Sequence, residues 1–396
     1  MALSDVVLWS VAAVQVAVLL AWATLLWLPS LRGGGTLPDR EAAVYRRVHV
    51  LVPVTDASVR QVEAFLDRLR GVDYPAPLVE VHLLANAETT DGDLVTFLAD
   101  PPTSEDGLRI EAVDVPEDRG EWTLDGGLPA SPFDAALTAL SLPGSDVATV
   151  LAVDDDPPAD LFARAMAGLE TTEVVQAGRT VSNPDRGTLP AVTAAGLATW
   201  SETVYPALAA GDGPYPLLRS GHFLTVGRLF SLRAQHPTTP VGVAAWRSGL
   251  SLGVLDCHVG ESCPTAAGAW LAHWRGRLAE FRRRLRRVDV GTGRLRRHHF
   301  AMVLAAADTP LGAPLGVAAV GVAAATGADV ALPVAALAAA TLVGWVAWSV
   351  RRTGALGRVE AASAGGLSLR ANPLAAAAVS VLWALVLRTG NRPPRR

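Results

Sequence analysis

Between residues 46 and 183, short apolar runs alternate with segments of helical period, and no other feature of the sequence narrows the fold as much. Residues 48–54 predict a first strand. Residues 57–71 predict a helix whose apolar face is Val59, Val62, Phe65, Leu66 and Leu69. Residues 78–85 predict a second strand, followed by the polar loop NAETTDGD. Residues 108–115, 147–153 and 173–181 predict further strands, with a helix over 133–142. Strand, helix and strand in series imply an α/β fold, a mostly parallel sheet flanked by helices.

The run 147–153 ends in three adjacent carboxylates, Asp154, Asp155 and Asp156, closed off by Pro157 and Pro158. Ligands of open α/β sheets bind outside the carboxyl ends of the strands. Carboxylates crowded there repel one another unless a cation or a ring of donors offsets the charge. Two readings follow. In one, the turn is a solvated acidic corner, with Asp156 capping a helix that the prolines open and that runs through Leu169. In the other, Asp154 and Asp156 hold a divalent metal and Asp155 faces outward. The strand-end position favours the metal.

The chain has 396 residues, of which 50% are hydrophobic and only 18% charged, too apolar for an ordinary soluble domain. Its net charge of −4 gives no sign of a nucleic-acid partner. All the basic charge is arginine; without lysine, Schiff-base and P-loop chemistry are excluded. Cys257 and Cys263 imply no disulfide framework and no zinc site, and read as buried small hydrophobes.

The excess apolar sequence lies at the ends. Residues 6–28 carry no charge and are long enough to span a bilayer, with Trp9, Trp22 and Trp27 toward the ends. Residues 311–327 and 330–350 read as a helical hairpin, and 374–387 as a shorter interfacial or spanning segment. Arg32, Arg46 and Arg47, the segment FRRRLRRVDVGTGRLRRHH, and Arg351, Arg352 and Arg358 place the middle of the chain in the cytoplasm by the positive-inside rule. The division expected is an N-terminal anchor (1–30), a cytoplasmic domain (45–285), a basic juxtamembrane segment (286–308), a transmembrane hairpin (309–352) and a tail (353–396). The cell membrane is the expected location, with the chain multi-pass. Spans without internal charge give a transporter no polar pathway.

Several stretches, in this order, resemble the family 2 glycosyltransferases of GT-A fold in their membrane-anchored form. Pro53 and Asp56 in LVPVTDASV resemble the first-strand signature, and Asp154 to Asp156 the D-x-D turn. Gln176, Arg179 and Asn183 in VVQAGRTVSN resemble the Q-x-R strand and its following Asn. Glu261, Pro264 and Thr265 resemble the E-x-x-P-T step, and WRGRL, with Arg275 and Arg277, stands where the family has Q-R-x-R-W. The resemblance implies transfer of a sugar from a nucleotide-diphosphate sugar to a lipid-linked or polysaccharide acceptor at the cytoplasmic face. It implies a divalent metal (Mg or Mn) on Asp154 and Asp156, and a nucleotide-sugar site drawn from Pro53, Asp56, Asn86, Asp154, Arg275 and Arg277. Arg275 and Arg277 equally suit a basic helix on anionic membrane lipid.

Departures from the family pattern fall on the chemistry. No Asp or Glu occurs from Gly213 to Leu255, where the family carries its general base; His236, Asp256 and Glu261 are the nearest candidates. Ala85-Asn86-Ala87 replaces an acidic pair, with Asp91 keeping a later acidic position, and Trp274 and Leu278 replace the Gln and Trp of the last motif. The alternative is therefore an inactive GT-A scaffold that binds a partner transferase or a nucleotide sugar. Trp246, Trp270 and Trp274 suit a sugar-stacking face or the membrane surface, the latter favoured.

Overall fold

The structure is a computed structural model that describes residues 36–37, 39, 42–54, 57–85, 92–99, 107–115, 140–187, 205–210, 220–235 and 241–273, with a few single positions between 189 and 201. The four apolar stretches, the basic segments beyond 273, and Asp56, Asn86, Asp91, His236, Trp274, Arg275 and Arg277 lie outside them. Among the described residues no helix is long and apolar enough to cross a membrane.

Eight strands form one sheet: β1 (Val48–Pro53), β2 (Val79–Ala85), β3 (Arg109–Asp114), β4 (Val147–Val150), β5 (Asp155–Asp156), β6 (Val174–Val181), β7 (His222–Thr225) and β8 (Leu252–Glu261). Their order is β3-β2-β1-β4-β7-β6-β8-β5. Strands β1 to β4 pair in parallel, as do β6 and β8. The short β7 runs antiparallel between β4 and β6 and joins the two parallel groups. The expected mostly parallel sheet is therefore interrupted by the reversed β7 and ends in the short β5, antiparallel to β8. Gly221, at φ +75, makes the turn into it. A Cβ there would lie 3.2 Å from Val259 Cγ2, so both conformation and space favour glycine.

Helices cover both faces. On one, α1 (Val59–Arg70) and α3 (Leu161–Leu169) pack on Val48, Val50, Val52, Val81 and Leu83. The α1 residues buried are Val62, Phe65, Leu66 and Leu69, the apolar face read from the sequence, each contributing about 2 kcal/mol by leaving water. Gln61 Oε1 accepts from the Ser58 N–H (2.8 Å) and hydroxyl (2.9 Å) and fixes the start of α1. On the other face, α4 (Tyr205–Ala210), α5 (Val226–Gln235) and α6 (Val241–Arg247) cover Leu51, Leu84, Ala148, Val150 and Leu224. A further helix, α2 (Gly92–Ala99), follows β2.

The prolines after the carboxylates do not open the helix. Helix α3 begins at Leu161, Asp160 stands at its N-cap, and Asp156 lies outside it in β5. The Asp160 carboxylate pairs with Arg164 rather than capping backbone N–H groups. Trp270 is not at a surface either. It is 3% exposed, packs with Val181, Ala194 and Cys263, and donates its indole N–H to Thr193 Oγ1 at 2.8 Å. Cys257 and Cys263 are free and buried, as expected.

Tyr74 ties the chain entering β1 to α3. Its hydroxyl donates to the Arg46 carbonyl (2.5 Å) and accepts from the Arg46 N–H (3.0 Å), and its ring meets Phe162 edge-on. Burial pushes the phenol pKa up to about 12 from 10.0. The folded chain then keeps a proton that the unfolded chain releases between these values, so stability falls as pH rises from 10 toward 12. Tyr74→Phe is expected to flatten that part of an alkaline unfolding curve while costing about 1–2 kcal/mol at neutral pH. An unchanged alkaline slope would contradict this role.

Candidate functional site

The triple-carboxylate turn forms where β4 ends. The Asp155 N–H donates to the Ala152 carbonyl (2.9 Å), and the Ala152 N–H donates to Asp155 Oδ2 (2.8 Å), so the middle aspartate closes its own turn. Arg68, on the last turn of α1, donates from Nη2 to the Val153 carbonyl (2.7 Å) and from Nε to the Asp155 carbonyl (3.0 Å). The turn then continues as β5, antiparallel to the end of β8, with Asp155 opposite Glu261 and Asp156 opposite Gly260.

Asp155 does not face outward as expected. It is wholly buried and lies 2.8 Å from Arg179 Nη1 as an ion pair. Arg179, projecting from β6, also pairs through Nη2 with Glu261 at the end of β8 and donates from Nη1 to Ser220 Oγ (2.5 Å). Burial works against the guanidinium charge, but Asp155 and Glu261 together outweigh it and hold its pKa above the usual arginine value. One buried cation thus joins β5, β6, β8 and Ser220 in the turn before β7. Gln176 donates to the Ser220 and Gly221 carbonyls (both 3.1 Å), and Asn183 exchanges two hydrogen bonds with the Cys263 backbone. Gln176, Arg179, Asn183 and Glu261 hold the floor of the site together.

Asp154 and Asp156 are the two carboxylates left over. Asp154 is half-buried and Asp156 exposed, and among the described residues neither has a hydrogen-bond or ion-pair partner. Side chains alternate along extended backbone, so Asp156 turns away from the inward Asp155 in β5, while Asp154 sits in the turn just before it. Gly260 leaves room for this: a Cβ there would lie 3.1 Å from the Asp156 Cβ. Arg68 and Arg179 balance two of the four acids at this corner, Asp155 and Glu261 among them. Among the described residues two negative charges remain uncompensated, on oxygen ligands of the kind that suits a hard divalent cation.

Pro53 ends β1 at the same edge of the sheet, in register with Leu84. Asp56, Asn86, Arg275 and Arg277 lie outside the described residues, as does His236. Of the two acids nearest the missing base, Glu261 is 1% exposed and committed to Arg179. Asp256 stands five positions back along β8, roughly 16 Å away at ~3.3 Å per residue. Neither is placed to take a proton beside Asp154. Arg68 carries no sequence signal beyond its place on a helix; its grip on the turn is visible only in three dimensions.

No protein-family model and no curated protein sequence matches the chain. Solved structures do. The mannosyltransferase PcManGT from Pyrobaculum calidifontis, in complex with GDP-Man and Mn2+, is 20% identical, with a TM-score of 0.51 over 95% of this chain and 99% of that one. At that identity the likeness establishes the fold. The fold is GT-A-like: a mixed eight-stranded sheet with helices on both faces. TarS 1–349 from S. aureus, with UDP-GlcNAc, is 14% identical at a TM-score of 0.40, over 87% of this chain and 91% of that one. Glucosyl-3-phosphoglycerate synthase from Mycobacterium tuberculosis, with Mn2+, UDP and glucosyl-3-phosphoglycerate, is 13% identical at 0.32, over 63% and 88%.

Proposed function

We propose that this chain is a membrane-bound glycosyltransferase that moves a sugar from a nucleotide-diphosphate sugar to a lipid-linked or polysaccharide acceptor at the cytoplasmic face. The observation that carries the reading is a pair of carboxylates, Asp154 and Asp156, without partners among the described residues, on a rigidly held turn at the strand ends of a GT-A-like sheet. PcManGT, of the same fold, has been solved with a nucleotide sugar and Mn2+, which supports a donor site of that class.

Asp154 and Asp156 would hold the divalent cation, and their oxygen donors suit Mg2+ or Mn2+. When bound, such a cation offsets the charge of the departing diphosphate. The chain's own work is positioning. Arg68 and the Asp155–Arg179–Glu261 cluster fix the turn, so the two ligand carboxylates need no reorganisation when the donor arrives. Pro53, Asp56 and Asn86 belong to the nucleotide side of the site in this reading, and Arg275 and Arg277 to the diphosphate side. Membrane lipids are the partners of the apolar ends.

One observation favours the alternative of a GT-A scaffold without turnover: Glu261 is locked to Arg179 and Asp256 is remote, so neither can serve as base. The test is release of UDP or GDP from a panel of nucleotide sugars, with Mn2+ and a bacterial lipid extract as acceptor source. Acceptor-dependent release supports the transferase. Nucleotide binding without release from any donor points to the scaffold.

A further inference from the structure

A second set of metal-binding side chains lies at the other end of the sheet. His49 is near the start of β1 and Glu80 and His82 near the start of β2, whereas the carboxylate turn follows the end of β4. His49 and Glu80 are register partners, and His82, two positions on, shares their face. Among the described residues these three bring one ligand atom each within 4.8 Å of one another.

The separations are those of ligands around one small cation. His49 Nδ1 lies 3.0 Å from His82 Nε2 and 3.3 Å from Glu80 Oε2. Ligands at ~2.0–2.1 Å from a tetrahedral zinc ion stand about 3.3 Å apart. Each ring is also backed by a carboxylate on its far nitrogen. Asp146 Oδ2 is 3.1 Å from His49 Nε2, and Glu111 Oε2 is 3.5 Å from His82 Nδ1. The hydrogen bond to Asp146 fixes the His49 tautomer that points a lone pair inward, while His82 Nδ1 makes no hydrogen bond and Glu111 only faces it. Arg47 (3.3 Å) and Arg109 (3.2 Å) both hold Glu80 Oε1 and leave Oε2 for the centre.

Without a cation the centre is poorly satisfied. With His49 donating Nε2–H to Asp146, its Nδ1 lone pair faces the Glu80 carboxylate, and a single hydrogen on His82 Nε2 is all that lies between these two acceptors. Both rings are almost wholly buried, so water does not relieve the clash. With the rings neutral, the three carboxylates and two guanidinium groups leave one net negative charge. The competing occupant of the centre is a proton shared among the same three side chains.

We infer that His49, Glu80 and His82 form a transition-metal site of the zinc class, with Asp146 orienting the His49 imidazole and Glu111 facing that of His82. Two nitrogens and one carboxylate suit Zn2+ or Co2+ rather than Mg2+ or Ca2+. The side chains of Glu80 and Asp146 are 14% and 16% exposed, so the open edge that a fourth, solvent ligand needs lies beside them. The ion would pin the starts of β1 and β2 to the turn before β4, and this role is independent of the donor site.

The test uses the full-length chain carrying Asp154→Asn and Asp156→Asn, so that oxygen ligands at the turn bind nothing. The protein is stripped with EDTA and titrated with Co2+. One equivalent should give the intense visible absorption of four-coordinate cobalt, bleached by Zn2+, and bound Zn2+ should raise the unfolding midpoint. Glu80→Gln, at the open edge, should weaken Co2+ binding about tenfold or more, and His82→Gln should abolish the band. If His82→Gln does not fold, Glu80→Gln decides alone. No saturable absorption in the folded chain, its centre held by a proton instead, overturns the proposal. So does a band that Glu80→Gln leaves unchanged.

Discussion

Arg179→Met is expected to destabilise the chain by about 3–5 kcal/mol, the cost typical of removing one partner from a buried ion pair. The reason is what it strands. Asp155 is wholly buried and Glu261 is 1% exposed, and both face Arg179. Methionine fills the volume but leaves two carboxylates without a counter-charge, and Ser220 loses its donor as well. Replacing all three charged residues together by apolar ones of similar size should cost far less, because no charge is then left alone. Denaturant unfolding of the two variants checks this. A single substitution costing under 1 kcal/mol would mean that the cluster does not hold β5 against β6 and β8.

The second large effect belongs to the carboxylates on the other side of the same backbone. Asp154→Asn with Asp156→Asn should leave stability almost unchanged, since neither side chain has a partner among the described residues. It should lower metal-dependent donor binding or turnover about a hundredfold or more, the loss expected when several kcal/mol of charge stabilisation goes at ~1.4 kcal/mol per tenfold. Asp155→Asn should show the reverse, a loss of stability first. If the double variant unfolds and keeps its nucleotide affinity, the roles assigned to alternate aspartates are wrong.

That alternation marks what the sequence could and could not say. The run VLAVDDD placed three carboxylates at a strand end, and the strand-end rule made them a site. Which of them faces inward depends on Arg179, a residue distant in sequence that only β6 packing brings to the turn. Strand β4 was legible from a continuous apolar run, β1, β2, β3 and β6 from short stretches rich in apolar residues, and α1 from its period. β7 was not: four residues, reversed between β4 and β6, carry too little pattern to be read. The helix expected from Pro157 starts later because Leu161 N–H bonds the Pro158 carbonyl, making a turn first. The register pair His49 and Glu80 carries no signal of its own in the sequence, because only the sheet brings the two together.

The most direct measurement is calorimetric titration of the purified full-length protein with UDP and GDP, with and without Mn2+. Binding of one nucleotide that requires Mn2+ and disappears in the Asp154→Asn, Asp156→Asn variant is the expected result. Absence of binding to either nucleotide at any metal concentration, from a chain shown to be folded, would contradict a donor site at the carboxylate turn.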